Sequence, residues 1–236
     1  MFTAIVPTLQ RSPYLMPLLD VLMRAELVAE IVLIDNATEP LLTTAHPKLD
    51  IVRPGRNLYV NPSWNLGAQR ATQERLLIVN DDLVFPGPAL SVLADRLDAG
   101  AGIVGLDLSC LSVDPDTADP GCRAAYVRRY GFGSLMALDR ASYVPIPEDL
   151  LVWCGDDWLF RRQRRHNYVL TGVPIRTRMG TTSTAPEFAA IKARDLATFR
   201  SRYAANPYAV RHPVGYAAGR VADVWRGRVL DPWRRR

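Results

Sequence analysis

Lysine is almost missing from this 236-residue chain. Of its 29 basic side chains only Lys48 and Lys192 are lysine, and the rest are arginine. Histidine and cysteine are equally scarce, with three of each. Cys110, Cys122 and Cys154 are widely spaced, odd in number and without a CxxC pair, which speaks against a disulfide framework or a zinc site. Long hydrophobic runs are lacking too: none approaches the roughly 18–20 apolar residues that cross a bilayer. The opening "MFTAIVPTL" has no basic stretch ahead of a hydrophobic one, so it does not read as a secretory signal. Internal repeats and low-complexity segments are also absent. These shortages point to a soluble, cytoplasmic protein of a reducing compartment.

What is present fits a folded domain. Hydrophobic residues make up 48% and charged residues 22% of the chain, enough to bury a real core and outside the range of disordered or collagen-like sequences. The length suits one main α/β domain with a short appendage. The formal charge is +5, but residues 220–236 hold six Arg against Asp223 and Asp231, so the tail carries +4 and the body is nearly neutral. A basic tail with Trp225 and Trp233 suits nucleic acid or an anionic membrane surface. A solvated, frayed C-terminus is the plainer account. We divide the chain into a domain over 1–212 and a basic helical extension over 213–236.

The first hundred residues alternate between strand and helix patterns. "TAIVP" (3–7), "EIVLID" (30–35), "LDIVRP" (49–54), "RLLIVNDD" (75–82) and "GIVGLDL" (102–108) read as strands. Helices are expected from Ser12 and Pro13 onward, from Pro62 to about Glu74, and from Pro86 to Leu97. Such alternation, with fully apolar strands, implies a Rossmann-like, mostly parallel sheet with helices on both faces. The second half is less regular: "DPDTADPGC" (114–122) reads as a loop, "YGFGSLMALDRASY" (130–143) as a strand and turn, and "VWCGDDWLFRRQRRHNY" (152–168) as a loop entering a helix. In "PEFAAIKARDLATFRSRYA" (186–204), Phe188, Ile191, Leu196 and Phe199 mark one face of an amphipathic helix.

Ligands of open α/β sheets bind at the carboxyl ends of the strands. Asp35 stands at one such end, where a carboxylate can accept from a base N–H or a ribose hydroxyl. Asn80, Asp81 and Asp82 stand at another. Oxygen ligands at that spacing suit Mg²⁺ or Mn²⁺ shared with a diphosphate. Because alternate residues of an extended chain face opposite ways, Asp82 becomes the direct metal ligand and Asn80 or Asp81 the nucleotide-side partner. A polar turn capping the next helix would look much the same. Asn57, Asn65, Gly67 and Arg70 surround the start of a helix, a place that favours phosphate. Asp156 and Asp157 form a second acidic pair, flanked by Trp153 and Trp158, which could stack on a sugar or simply close the core.

Taken in order, "VPTLQRSP" (6–13), "VLIDNAT" (32–38), "NLYVNPSWNLGAQRA" (57–71), "LLIVNDDLVF" (76–85) and "GDDWLFRR" (155–162) resemble the GT-A glycosyltransferases of the family-two type over roughly residues 2–180. The resemblance implies a GT-A fold with a nucleotide-sugar half (about 1–110) and an acceptor half (about 111–212). It places Pro7, Thr8 and Arg11 beside the nucleotide and Asp35 on its base, with Asn65, Asn80 and Asp81 near the donor. Asp82, with Asn80 or Asp81, would hold the divalent cation on the diphosphate. Asp157, or else Asp156, would be the general base of an inverting transfer, and Trp153 and Trp158 would meet the acceptor. That acceptor could be a protein side chain, a surface glycan or a hydroxymethylated DNA base, in a bacterial or bacteriophage setting.

Two departures stand out. Asn80 replaces the first acid of the family's metal motif, and "IRTRMGTTST" (175–184) has Met179 where many members carry a metal-binding His. His212 is expected on the surface, His166 on an exposed helix face, and Arg161, Arg162, Arg164 and Arg165 on a solvated one. Three rival readings follow. A nucleotidyltransferase would need a Gly-rich basic loop that "PTLQRSP" lacks. A nucleic-acid-binding module would use the Arg-rich tail but has no use for acids at strand ends. A degenerate transferase would bind the nucleotide sugar without turning it over.

Overall fold

The computed structural model describes residues 1–39, 42–177 and 186–229. In chain order the elements are β1 (Phe2–Thr8), α1 (Leu15–Arg24), β2 (Val28–Asp35), β3 (Leu49–Val52), α2 (Val60–Arg70), β4 (Arg75–Val79), β5 (Leu83–Val84), α3 (Pro88–Asp98) and β6 (Ile103–Leu106). There follow β7 (Gly121–Ala125), β8 (Leu135–Asp139), α4 (Gly155–Arg162), β9 (Asn167–Thr171), β10 (Arg176–Thr177), α5 (Ala189–Arg202), α6 (Pro207–Arg211) and α7 (Pro213–Val229).

Eight strands make one sheet in the order β3-β2-β1-β4-β8-β6-β9-β7, and β5 pairs with β10 beside it. The β1–β4 side is parallel throughout, as continuous apolar strands require when both faces are covered. Antiparallel β8 sits between β4 and β6, and antiparallel β7 closes the far edge. The acidic "DPDTADPGC" stretch therefore leads into an edge strand, and both halves of the chain contribute to one sheet.

Alternate residues of the central strands feed two cores. Val6, Leu33 and Val79 pack with Leu18 and Leu22 of α1 and Leu90 and Leu93 of α3. Ile5 and Ile78 pack on the other face with Trp64 of α2, Phe132, and Leu159 and Phe160 of α4. Gly67 of α2 rides directly on β1, where a Cβ would lie 2.3 Å from Ile5. That close approach sets the height of α2 above the strand ends.

Element ends differ from the sequence expectations in instructive ways. Helix α2 starts at Val60, two residues before Pro62, because Tyr59 at φ 68° turns the chain into it. Pro62 then lies in the first turn, where a missing N–H costs nothing. The helix stops at Arg70, short of Glu74, as Ala71 becomes extended. Strand β4 ends at Val79, so Asn80, Asp81 and Asp82 lie in the turn toward β5. Helix α4 ends at Arg162, which leaves His166 exposed in the turn before β9 instead of on a helix.

Candidate functional site

A cleft of about 410 Å³ opens where the carboxyl ends of β1, β2 and β4 meet the start of α2. Its floor is made by Pro7, Thr8, Asn36, Asn80, Asp81 and Asp82. Arg128, Gly133, Ser134 and Asp156 form one wall, and Tyr59, Trp153, Phe188, Lys192 and Leu196 another. Gln10, Tyr59 and Cys154 are the non-glycine residues with positive φ among the described residues, at 56°, 68° and 67°. Tyr59 and Cys154 line the cleft, and Gln10 follows it closely in sequence. Backbone strain of this kind, about 1–3 kcal/mol per residue, gathers at functional sites, where surrounding structure must enforce it.

The floor is tied together by short bonds. The Thr8 hydroxyl donates to Asp81 Oδ2 at 2.6 Å, and Gln10 N–H donates back to that hydroxyl at 2.8 Å. Asn36 accepts from Leu58 N–H and donates to Ser63 Oγ, fixing β2 to the entry of α2. Burial pushes the Asp81 carboxyl up to about 6, the neighbouring Asp82 charge adds to the rise, and the Thr8 bond opposes it. Thr177 donates to the Asp82 carbonyl at 2.6 Å, which holds the turn from the β10 side.

The wall solves the same problem differently. Arg128 Nη2 bonds Asp157 Oδ2 at 2.5 Å, and its Nε lies 3.6 Å from Asp156 Oδ2. Burial works against the charge on Arg128, yet the two carboxylates hold its guanidinium above the ordinary arginine range. Burial also raises the Asp156 carboxyl, with Arg128 pulling it down and Asp157 pushing it up. Gly133 makes room for Asp156: a Cβ there would come within 2.9 Å of its side chain.

A second set of bonds shapes the rim before α4. Asn61 donates to the carbonyls of Leu150 and Trp153, while its N–H donates to Leu151 O. From the other side, buried Asp195 of α5 accepts the N–H groups of Leu151, Val152 and Trp153 on one oxygen, at 2.8 to 3.1 Å. Trp153 meets Phe188 edge-on at 6.5 Å, and Lys192 lies over its ring at 5.9 Å.

Of the residues singled out from the sequence, Pro7, Thr8, Asn57, Asn80, Asp81, Asp82, Trp153 and Asp156 line this cleft. Others are placed elsewhere. Asp157, the first candidate for the base, lies beside Asp156 but off the cleft lining, bonded to Arg128 and 3.8 Å from Arg161. Asn65 is used within the protein, donating to Ile146 O and accepting from Ile146 N–H and the Tyr143 hydroxyl. Asp35 is fully buried, held by Gln10 at 2.9 Å and Arg53 at 3.3 Å. Arg11 is exposed outside the cleft lining. Trp158 points into the fold, donating to Val144 O and stacking under Arg162.

The arginine run is not simply solvated. Arg161 stacks on Phe199 and so fastens α5, while Arg162 stacks on Trp158 of its own helix. His212 is also packed: it stacks on His166 at 4.3 Å and on Tyr208 at 4.5 Å. Burial lowers its pKa, and it lies away from the cleft. Met179 falls outside the described residues. Arg128, Lys192, Asn61 and Asp195 escaped the sequence reading. Only Lys192 carried a signal, as one of two lysines in an arginine-rich chain.

Carboxylates at the strand ends of such a sheet, facing a helix-borne acid across one cleft, define a GT-A fold protein. The chain belongs to glycosyl transferase family 2, which matches residues 3–120, half of its length. Solved structures agree on the fold. Residues 1–349 of TarS from S. aureus with UDP-GlcNAc align with a TM-score of 0.58 at 16% identity, covering 85% of this chain and 66% of that one. The mannosyltransferase PcManGT from Pyrobaculum calidifontis with GDP-Man and Mn²⁺ gives 0.56 at 18%, covering 98% and 76%. GalNAc-T7 with UDP, GalNAc and Mn²⁺ gives 0.60 at 13%, covering 92% and 51%. Against TarS with UDP the alignment spans 57% of the solved chain, so this protein corresponds to part of that structure. No curated protein sequence matches it.

Among the described residues no three His, Cys, Asp or Glu side chains converge on a metal position. A divalent cation is nonetheless compatible with the floor. Asp81 and Asp82 crowd two carboxylates together, and burial with the neighbouring Asp82 charge raises the first. Magnesium-like ions are commonly held by one or two carboxylates together with substrate phosphates, which is what this donor set offers.

Proposed function

We propose that the protein transfers a sugar from a nucleotide-diphosphate sugar to an acceptor hydroxyl by direct, inverting displacement. The observation that carries this reading is the convergence of Asp81–Asp82 and Asp156 on a single cleft. Proteins of similar fold that bind UDP, UDP-GlcNAc or GDP-Man support it. Two of those structures contain Mn²⁺, which favours a divalent ion here.

In this reading the donor diphosphate lies over the floor, along Pro7, Thr8 and the Asn80–Asp82 turn. Asp82, with Asn80 or Asp81, would hold the cation, whose charge would stabilise the departing diphosphate. Asp156 acts as the general base: it takes the proton of the acceptor hydroxyl as that oxygen attacks the anomeric carbon. Its raised pKa brings its basicity closer to neutral pH, which suits the task. Arg128 keeps the carboxylate oriented. Trp153, Phe188 and Lys192 form the side on which an acceptor can stack. Asp35 contributes from beneath, by fixing the end of β2 and leaving Asn36 at the surface of the cleft.

A thermal-shift series with UDP, GDP, dTDP and CDP, with and without Mn²⁺, tests the donor half. A ligand at 100 times its Kd adds about 2.7 kcal/mol of stability. One diphosphate should stabilise the protein only with Mn²⁺, and Asp82→Ala should remove the effect. Normal turnover by both Asp82→Ala and Asp156→Ala would refute the proposal.

A further inference from the structure

Helix α7 is docked the wrong way round for a helix that merely finishes a domain. The side facing the body carries two glycines and an aspartate, beside half-buried Tyr216. Gly215 lies against the Tyr126 ring, Gly219 against Val127, and Asp223 pairs with Arg129 at 3.6 Å. The opposite side is apolar and exposed. Val214 is 82% exposed, Val221 64% and Val224 50%, and exposed Ala217 and Ala218 fill the stripe between them. Val210, at the end of α6 just before α7, is 81% exposed. At 100° per residue, positions 214, 217, 218, 221 and 224 fall on one face and 215, 219 and 223 on the other.

We propose that this outer face of α7 is an interfacial membrane helix that lies flat on an anionic lipid surface. Amphipathic helices of this kind bury a modest apolar stripe at the headgroup boundary and recruit basic residues around it. Arg220 borders the stripe, and residues 220–236 carry six Arg against two Asp. That cluster complements the negative charge of an anionic leaflet. A nucleic acid would need polar and basic groups on the contact face, where this helix presents valine and alanine. A second copy of the chain would need roughly 800 Å² per partner, more than four valines and two alanines expose. No helix among the described residues is long and apolar enough to cross a membrane, so the binding is peripheral.

Vesicle flotation of the full chain tests this. The protein should float with vesicles of equal parts phosphatidylcholine and phosphatidylglycerol and remain behind with phosphatidylcholine alone. Added salt should weaken binding. The Val214→Asp, Val221→Asp double variant should lose at least tenfold in partitioning, with its thermal midpoint unchanged because both side chains face outward. The Val221→Leu variant should partition more strongly, a gain that misfolding would not produce. Failure to float with anionic vesicles overturns the proposal, as does equal flotation by the double variant. Concentration-dependent self-association abolished by the same double variant, or duplex DNA binding indifferent to it, would assign the surface elsewhere and likewise overturn it. None of these outcomes bears on the sugar-transfer reading.

Discussion

The two aspartate pairs of this protein face the same difficulty and meet it in opposite ways. Asp81 and Asp82 sit in the turn after β4, on the rigid end of the sheet, where a threonine hydroxyl and the backbone offset their burial. Asp156 and Asp157 sit in the first turn of α4, where Arg128 reaches both and Arg161 reaches the second. In the first pair burial and the neighbouring carboxylate outweigh the Thr8 bond, so Asp81 is raised to about 6, and a cation arriving with a diphosphate would relieve that crowding. The second pair is neutralised in place and keeps one member on the cleft. A doublet of acids therefore means different things according to whether its counter-charge is built in.

The sharpest way to break the comparison is to remove the working acid from the wall. Asp156→Asn should lower kcat by about 10²–10⁴ while leaving Mn²⁺-dependent nucleotide stabilisation intact. Asp157→Asn should cost far less in rate. Equal losses in steady-state assays would erase the distinction between the two positions. With the wild-type protein, the rate should fall as pH drops through the raised pKa of Asp156, above the range of an ordinary carboxylate.

Removing the counter-charge comes next. Arg128→Met should destabilise the fold by about 3 kcal/mol, the low end for a buried pair because these groups are partly exposed. It should also move the acid limb of the pH–rate profile upward, since Asp156 would lose its pull toward ionisation. Chemical denaturation and a pH–rate profile of the same variant check both statements.

On the floor the sign reverses. Asp81 titrates near 6 in the folded chain against 3.8 as its ordinary value. The folded state therefore holds a proton that the unfolded state releases, and stability is lost as pH rises between those values. In chelator at pH 7, Asp81→Asn should stabilise the protein by about 2 kcal/mol. The gain should vanish below pH 4, and a thermal melt at both pH values reads it directly. The smallest effect belongs to Trp158→Phe, which removes the bond to Val144 O and should cost about 1 kcal/mol of stability without altering turnover.

The same contrast explains what the sequence allowed one to read. Strands β1, β2 and β4 are continuous apolar runs, and such runs end on polar residues where the chain leaves a sheet buried on both faces. Sheet, strand-end acids and cleft position all follow from that. Helix-borne groups were harder. Asp156 and Asp157 differ by one 100° step, and only the packing of α4 against Gly133 decides which meets the cleft. Arg128 lies in a connection before β8 with no periodicity to place it, and the antiparallel insertion of β8 brings it to the wall. Asn65 shows a related ambiguity. An amide near a helix start is as well suited to a backbone carbonyl as to a phosphate, and here the backbone takes it.

The rim between Leu150 and Trp153 belongs to no helix or strand, yet Asn61 takes its carbonyls and Asp195 its N–H groups. One consequence is kinetic. The amide hydrogens of Leu151, Val152 and Trp153 should exchange with deuterated water as slowly as those of a packed helix, because they open only when α5 lifts away. The clock that governs access to this edge of the cleft would then be the undocking of a helix more than forty residues further along the chain, and Asp195→Asn should make it run faster.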